Sequence, residues 1–211
     1  MAVGFCFCGR MKMENYTVSY KMYEMALDGF MEKYHDREKY IALCRACPNY
    51  NKKWSCPELS FDVDEYLKNF RYIYIVGAKI DLSKETIAAA DTMDKVKNVG
   101  WEIIQTVRHS MKGKMLAMEE KSEGSVSLAS GDCDICAECT RPQGKPCRFP
   151  EKMRYSLDAF SMNLTQITED AFNIKIQWIK DRLPDYFTLI HALLTKKKID
   201  ERAWGDVGFP F

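Results

Sequence analysis

Seven of the nine cysteines fall in two short windows, Cys44–Cys56 and Cys133–Cys147. Any fold this chain adopts must therefore carry two loops that each bring several thiols to one place. Isolated cysteines usually serve as small apolar core residues. Cysteines at tight spacing serve metal, redox chemistry or disulfides. Disulfide frameworks belong mainly to short secreted domains. Here the chain has 211 residues, and its opening, Met1-Ala-Val-Gly-Phe-Cys-Phe-Cys-Gly-Arg10, is too short for a secretory signal and has no basic region ahead of it. The expectation is a cytoplasmic protein whose thiols stay reduced and bind metal.

The second window reads Cys133-x2-Cys136-x2-Cys139-x7-Cys147. Three cysteines at two-residue spacing make a compact loop able to face three corners of one cubane, as in the ferredoxin run. Zinc is the competing reading, because C-x2-C is also its unit. Zinc sites, however, usually join two separate C-x2-C knuckles rather than an overlapping triple. The first window is Cys44-x2-Cys47-x8-Cys56, with proline after both Cys47 and Cys56. Proline holds the chain extended beyond each thiol and removes a backbone donor.

Two cubane clusters call for eight ligands, and the two windows supply seven. The eighth is left open: Cys6 or Cys8, another side chain, water or substrate. The pairing is open too. Cys147 can complete its own loop or cross to the first group, as the delayed cysteine does in two-cluster ferredoxins. An iron lacking a fourth protein ligand would have an exchangeable position. Sequence proximity places it near Trp54, with Arg148 and Arg154 to hold an anionic group. Arg141, Lys145 and Lys152 add to the positive charge around the second loop.

Composition narrows the partners. Lys+Arg number 31 against 30 Asp+Glu, a net charge of +1, which gives no electrostatic case for nucleic acid or an anionic membrane. No apolar run approaches the roughly 20 residues that cross a bilayer. The partner is expected to be a redox protein or a small-molecule substrate.

Hydrophobic periodicity sets out the elements. Alternation from Tyr16 to Met22 predicts a strand. Residues 27–46 predict helix in two pieces. Asp62 caps a short helix, Tyr72 to Ile80 is the clearest strand, and Ser83 opens a long helix that Ser122 to Gly124 ends. Residues 126–128 form a short strand into the second cysteine loop. Helices are expected over 150–160 and 165–172, and a closing strand pair over 173–179 and 186–195. Strands and helices do not alternate strictly, so the fold class is α+β, a mixed or antiparallel sheet with flanking helices and two cysteine-rich cluster-binding loops. Doubly wound α/β is the alternative. Residues 1–14 read as an irregular segment and 15–211 as a single iron–sulfur-binding domain. Both cysteine loops are expected at one edge of the sheet, close enough to exchange electrons.

At Cys44-Arg-Ala-Cys-Pro-Asn-Tyr-Asn-Lys-Lys-Trp-Ser-Cys-Pro57, and again at Gly131-Asp-Cys-x2-Cys-x2-Cys-x7-Cys147-Arg-x-Pro150 with Arg154-x-Ser156-x2-Ala159, the sequence resembles a family of unknown function described as predicted metal-binding proteins and frequent in anaerobic bacteria and archaea. The resemblance covers most of residues 16–195 and implies metal binding through Cys44, Cys47, Cys56, Cys133, Cys136, Cys139 and Cys147. It implies no reaction. One departure is Glu58, where the family pattern has a second proline after Cys56-Pro57.

The remaining residues add less. Of the three histidines, His35 reads as exposed, His109 lies on the long helix, and His191 sits in an apolar stretch as buried structure or, less simply, a ligand. The methionines at 11, 13, 22, 25 and 31 read as core filling. The functional expectation is an electron-transfer protein with two [4Fe-4S] clusters. Its alternatives are a redox enzyme or lyase with an incompletely ligated cluster, and a zinc-stabilised structural protein.

Overall fold

The structure, a computed structural model, describes residues 15–211. The expected irregular segment at 1–14, with Cys6 and Cys8, lies outside the described residues. Four strands, β1 (Tyr16–Ala26), β2 (Tyr72–Leu82), β3 (Val126–Leu128) and β4 (Tyr186–Thr195), form one sheet in the order β1-β2-β4-β3. Every neighbouring pair is antiparallel. The fold class is therefore α+β with an open antiparallel sheet, and the doubly wound alternative is set aside.

The sheet separates two cores. Pleating sends successive side chains to opposite faces. The β2–β4 register pairs Tyr74 with Leu193, Val76 with His191, and Ala78 with Leu189, so these point one way. Ile73 with Leu194 and Ile75 with Ala192 point the other. On the first face lie the long helix α5 (Met93–Lys121) and α7 (Glu201–Asp206), which brings the buried Trp204. On the second lie α1 (Leu27–Tyr34), α6 (Leu164–Phe172) and a single 3-10 turn at Leu157–Phe160. Both central strands are buried on two sides, which explains their near-continuous apolar sequences. β3 pairs only with Ala192, Leu193 and Leu194. No strand among the described residues covers the edge of β4 from Tyr186 to Ile190.

The expected elements hold with four corrections. The helical stretch 27–46 is α1 followed by α2 (Arg37–Ala46), and Asp62 caps α3 (Val63–Leu67). Ser83 is an N-cap, but of the short α4 (Lys84–Ala89), and Thr92 starts α5 afresh. Residues 150–160 are not a helix, because neighbours claim their backbone donors: Ser156 N–H donates to Ser55 O and Leu157 N–H to Ala129 O. Residues 173–179 are not a strand. Asn173 ends α6 in the left-handed region at φ 54°, and Lys175 O is taken by the Tyr186 hydroxyl at 2.7 Å. The fourth correction is α7, which the sequence reading did not expect. Gly100 does not bend α5. It lets the helix approach Ile179, Leu183 and Phe187, where a Cβ would stand 2.8 Å from Ile179 Cδ1.

A tighter contact lies across the second core. Gly77 of β2 sits under the Phe172 ring, and a Cβ there would come within 2.5 Å of Phe172 Cε2. Overpacking of this kind costs about 1–3 kcal/mol. Gly77→Ala is expected to lower the melting temperature, and adding Phe172→Leu to recover part of the loss. An unchanged melt in Gly77→Ala would mean that the Phe172 ring moves aside without cost.

Candidate metal centres

The first cysteine group is built on the end of a helix. Cys44 lies in the last turn of α2 and Cys47 is its C-cap, extended at φ −76° and ψ 138° as a residue before proline should be. The chain then winds through tight turns, Tyr50 N–H to Cys47 O and Cys56 N–H to Lys53 O, until Asn51 N–H closes on Pro57 O at 2.7 Å. Cys44, Cys47 and Cys56 are thereby set around one cleft of about 360 Å³. Tyr40, Leu43, Asn49, Gly131 and Asp158 share its wall. α2 contributes no fully buried residue, and Leu43 is 63% exposed.

The second group folds back on itself. Thr140 is buried, donates its hydroxyl to Pro146 O at 2.7 Å and accepts the Trp54 indole N–H at 3.2 Å. Gly144 supplies the left-handed turn at φ 65°. This returns Cys147 to its own loop: Cys133, Cys136, Cys139 and Cys147 all line one small pocket of about 20 Å³ with Trp54, Phe149 and Met153. The seven cysteines thus sort into three and four, and all are free thiols. Trp54 belongs to the four-thiol pocket, not beside the three-thiol cleft as the sequence order suggested.

The two loops hold each other. Ser55 is fully buried, and its Oγ accepts the Cys133 N–H at 2.8 Å while its carbonyl accepts the Ser156 N–H at 2.9 Å. Arg141, from the second loop, donates to Lys53 O at 2.8 Å and Cys56 O at 2.6 Å and also reaches Glu58 O. Its guanidinium lies 5.3 Å from the Trp54 ring centroid. β3 delivers the second loop, as expected, and the end of α2 delivers the first.

The charged residues have other duties than those expected of them. Arg154 forms a two-pronged, largely buried pair with Glu119 of α5, with Nη2 to Oε2 at 2.6 Å. It is not available to a substrate. Arg148 donates to Glu138 O at 2.7 Å within its own loop. Buried Arg108 holds Asp132 and Asp134 on either side of Cys133, at 3.5 and 3.2 Å, and Lys112 adds a contact to Asp134 at 2.9 Å. Glu58 accepts the Tyr50 hydroxyl at 2.8 Å at the surface. His35 is not in the open: its Nε2 is buried without a partner, and the residue bridges to Met162.

Burial raises three of the thiols, Cys44, Cys56 and Cys133. Cys44 is pushed up to about 11 by burial, with Asp158, Cys56 and Cys47 adding charge repulsion. Cys56 and Cys133 are raised by burial as well, partly offset at Cys56 by Ser55 and at Cys133 by the Ile135 N–H. The Asp158 carboxyl is hemmed in by protein and raised by that crowding, although the residue is exposed to water through the cleft. Water access moderates the rise. Thiols held protonated in this way release protons on binding metal.

Among the described residues, no three histidine, cysteine, aspartate or glutamate side chains stand close enough to hold a single metal ion as they are placed. A tetrahedral zinc site would need its sulfurs about 3.8 Å apart, from a Zn–S length of about 2.3 Å. The thiols instead frame pockets. A family model described as Predicted metal-binding protein (DUF2284) matches residues 31–194. The chain belongs to this family. The DUF2284 match contains both cysteine groups and stops one residue short of the end of β4. No curated protein and no solved structure matches the chain. Nothing in the family description names the metal.

Asp158, Ser55, Tyr40 and Asn49 escaped the sequence reading. Asp158 lies 11 positions beyond Cys147, and no spacing rule links it to Cys44. Ser55 had a local signal as neighbour to Cys56, Asn49 as second residue after Cys47, and Tyr40 as one helical turn before Cys44.

Two measurements test this framework. Arg141→Ala removes charge-assisted bonds worth about 1.5–3 kcal/mol each. It should destabilise the chain by at least about 2 kcal/mol in urea unfolding, and Arg141→Lys should restore little because lysine lacks the fork. His191 is buried on β4 and lowered to about 3, first by burial and then by Arg108 and Lys112. Its unfolded value is about 6.5. The native state thus refuses a proton that the unfolded state accepts, and stability is full above about pH 6.5 and falls as pH drops below it. About 2 kcal/mol should be lost between pH 8 and 5 through this group. The difference between wild type and His191→Leu across that range measures it; parallel curves would place His191 in contact with water.

Proposed function

We propose that this chain is an iron–sulfur protein with two [4Fe-4S] clusters, one held by Cys133, Cys136, Cys139 and Cys147 and the other by Cys44, Cys47 and Cys56, and that it transfers electrons. The observation that carries this reading is the sorting of seven free thiols into a set of four and a set of three on mutually hydrogen-bonded loops. The donor chemistry fits: thiolates are the usual ligands of such clusters, and apolar and aromatic neighbours such as Trp54 and Phe149 keep water from them. A four-thiol site is closed to further ligands and suits electron relay. Interlocked loops favour transfer between the two groups.

A second reading is favoured by the cleft. The three-thiol group opens on about 360 Å³, far more than the roughly 30 Å³ of one water molecule. A cluster held there by three cysteines supplies an iron with an exchangeable position, the feature of a redox enzyme or lyase. Tyr40, Asn49 and Asp158 would then position the substrate. The expected partner is a redox protein in the first reading and a small molecule in the second. No helix among the described residues is long and apolar enough to cross a membrane. A cytoplasmic site and one domain spanning 15–211 complete the proposal.

Anaerobic purification with iron, sulfide and zinc analysis is the test. About eight iron and eight sulfide per chain are expected. Cys147→Ser and Cys136→Ser should remove the same electron-paramagnetic signal, and Cys44→Ser the other. Zinc without sulfide would overturn the cluster reading. Loss of the Cys44 signal in Cys147→Ser, with the Cys136 signal kept, would show that Cys147 crosses between loops.

A further inference from the structure

We propose that the three-thiol cleft continues into an apolar groove, and that together they bind a small neutral carbonyl or hydroxyl compound, its oxygen toward the thiols and its hydrocarbon body in the groove. This rests on the enzyme reading of that site. The groove, of about 410 Å³, runs along the edge of β4 that β3 leaves uncovered. Ile104 of α5, Ile176, Trp178, Ile179 and Ile190 form its walls. Gly131 and Asp158 line both the groove and the cleft, so the two spaces meet there. At that corner the chain turns on Gly131 at φ 69°, where a Cβ would stand 2.9 Å from the Arg108 guanidinium. Each space falls within the roughly 300–1,000 Å³ typical of small-molecule sites.

The chemistry of the walls selects the ligand. Asp158 is the sole charged side chain lining the groove, which suits an uncharged hydrocarbon. Trp178 is 71% exposed beside it, a large apolar surface left in water. Covering such surface is favourable by about 25 cal/mol per Å². At the other end, Tyr40 and Asn49 line the cleft, and neither side chain has a hydrogen-bond partner among the described residues. Both can donate to an oxygen. Asp132 is paired with Lys53 and Arg108, but among the described residues no cation pairs with Asp158. The groove lining offers no cation to balance an anionic head, whereas a neutral carbonyl or hydroxyl needs none.

Equilibrium dialysis of the metal-loaded chain with 2-butanone, 2-hexanone and 2-octanone tests this. Affinity should rise about fourfold per methylene, since each buried methylene contributes about 0.8 kcal/mol. Trp178→Ala, a change at an exposed position, should weaken 2-octanone about tenfold or more and leave 2-butanone nearly unchanged. Tyr40→Phe should weaken all three by a similar factor. A rising series in a chain that carries zinc and no sulfide would support the groove while removing the cluster reading. A flat series in a chain that carries iron and sulfide would overturn the groove and leave the clusters standing. Flat binding with a Trp178→Ala effect confined to sedimentation would make the groove a contact between copies, and would overturn the proposal equally.

Discussion

One buried serine ties together the cysteine-bearing half of this protein. Ser55 ties the Cys133 amide through its side chain and the Ser156 amide through its carbonyl. Three segments far apart in sequence meet at this residue: the first cysteine loop, the second, and the stretch that brings Asp158 to the cleft. A buried polar group has to be satisfied or it destabilises the fold, so the bonds specify how the loops dock. Arg141 repeats the arrangement from the other side, with two backbone carbonyls of the first loop on one nitrogen of its guanidinium. The Ser55 hydroxyl also lies 3.6 Å from Cys56 Sγ, but the bonds that join the loops run to backbone groups. The loops are therefore joined by ordinary hydrogen bonds as well as by whatever the cysteines hold.

The sheet explains why the loops gather where they do. Its central strands are consumed by two cores, so only the loops and strand edges are left to carry chemistry. β3 is three residues long and feeds directly into the second cysteine loop. Arg108 and Lys112 of α5 then hold the aspartates that flank Cys133. The long helix serves both structure and site: its apolar face packs the first core, and its basic residues anchor the loop.

Much of this was legible in the sequence where periodicity or spacing is local. Alternation from Tyr16 and the β-branched run at Tyr72 marked the two longest strands, and Asp62 and Ser83 marked helix starts. The seven cysteines announced themselves as two groups. What failed was decided by distant partners. Residues 150–160 carry a helical pattern, yet Ser55 and Ala129 take the donors that a helix would need. Residues 173–179 alternate like a strand, yet the Tyr186 hydroxyl and the Gln177 side chain take over the hydrogen bonding beside β4. Arg154 looked like an anion-binding residue because it follows the second loop, and only the fold shows it committed to Glu119. Asp158 reaches the cleft through topology alone, whereas Tyr40 stands one helical turn before Cys44 on α2. The membership of Cys147 in its own group likewise depended on Thr140 and Gly144, whose roles no spacing rule contains.

The exposure of α2 has its own consequence. This helix carries Cys44, with Cys47 as its C-cap, but lends no buried side chain to either core. Its attachment to the body is therefore a separate equilibrium from the folding of the sheet. If its cysteines hold metal, occupancy of the site and the position of the helix are linked, and each stabilises the other. An emptied site would then loosen one short segment while the sheet stays folded. To a protease, the chain would carry a readable record of whether its metal is in place.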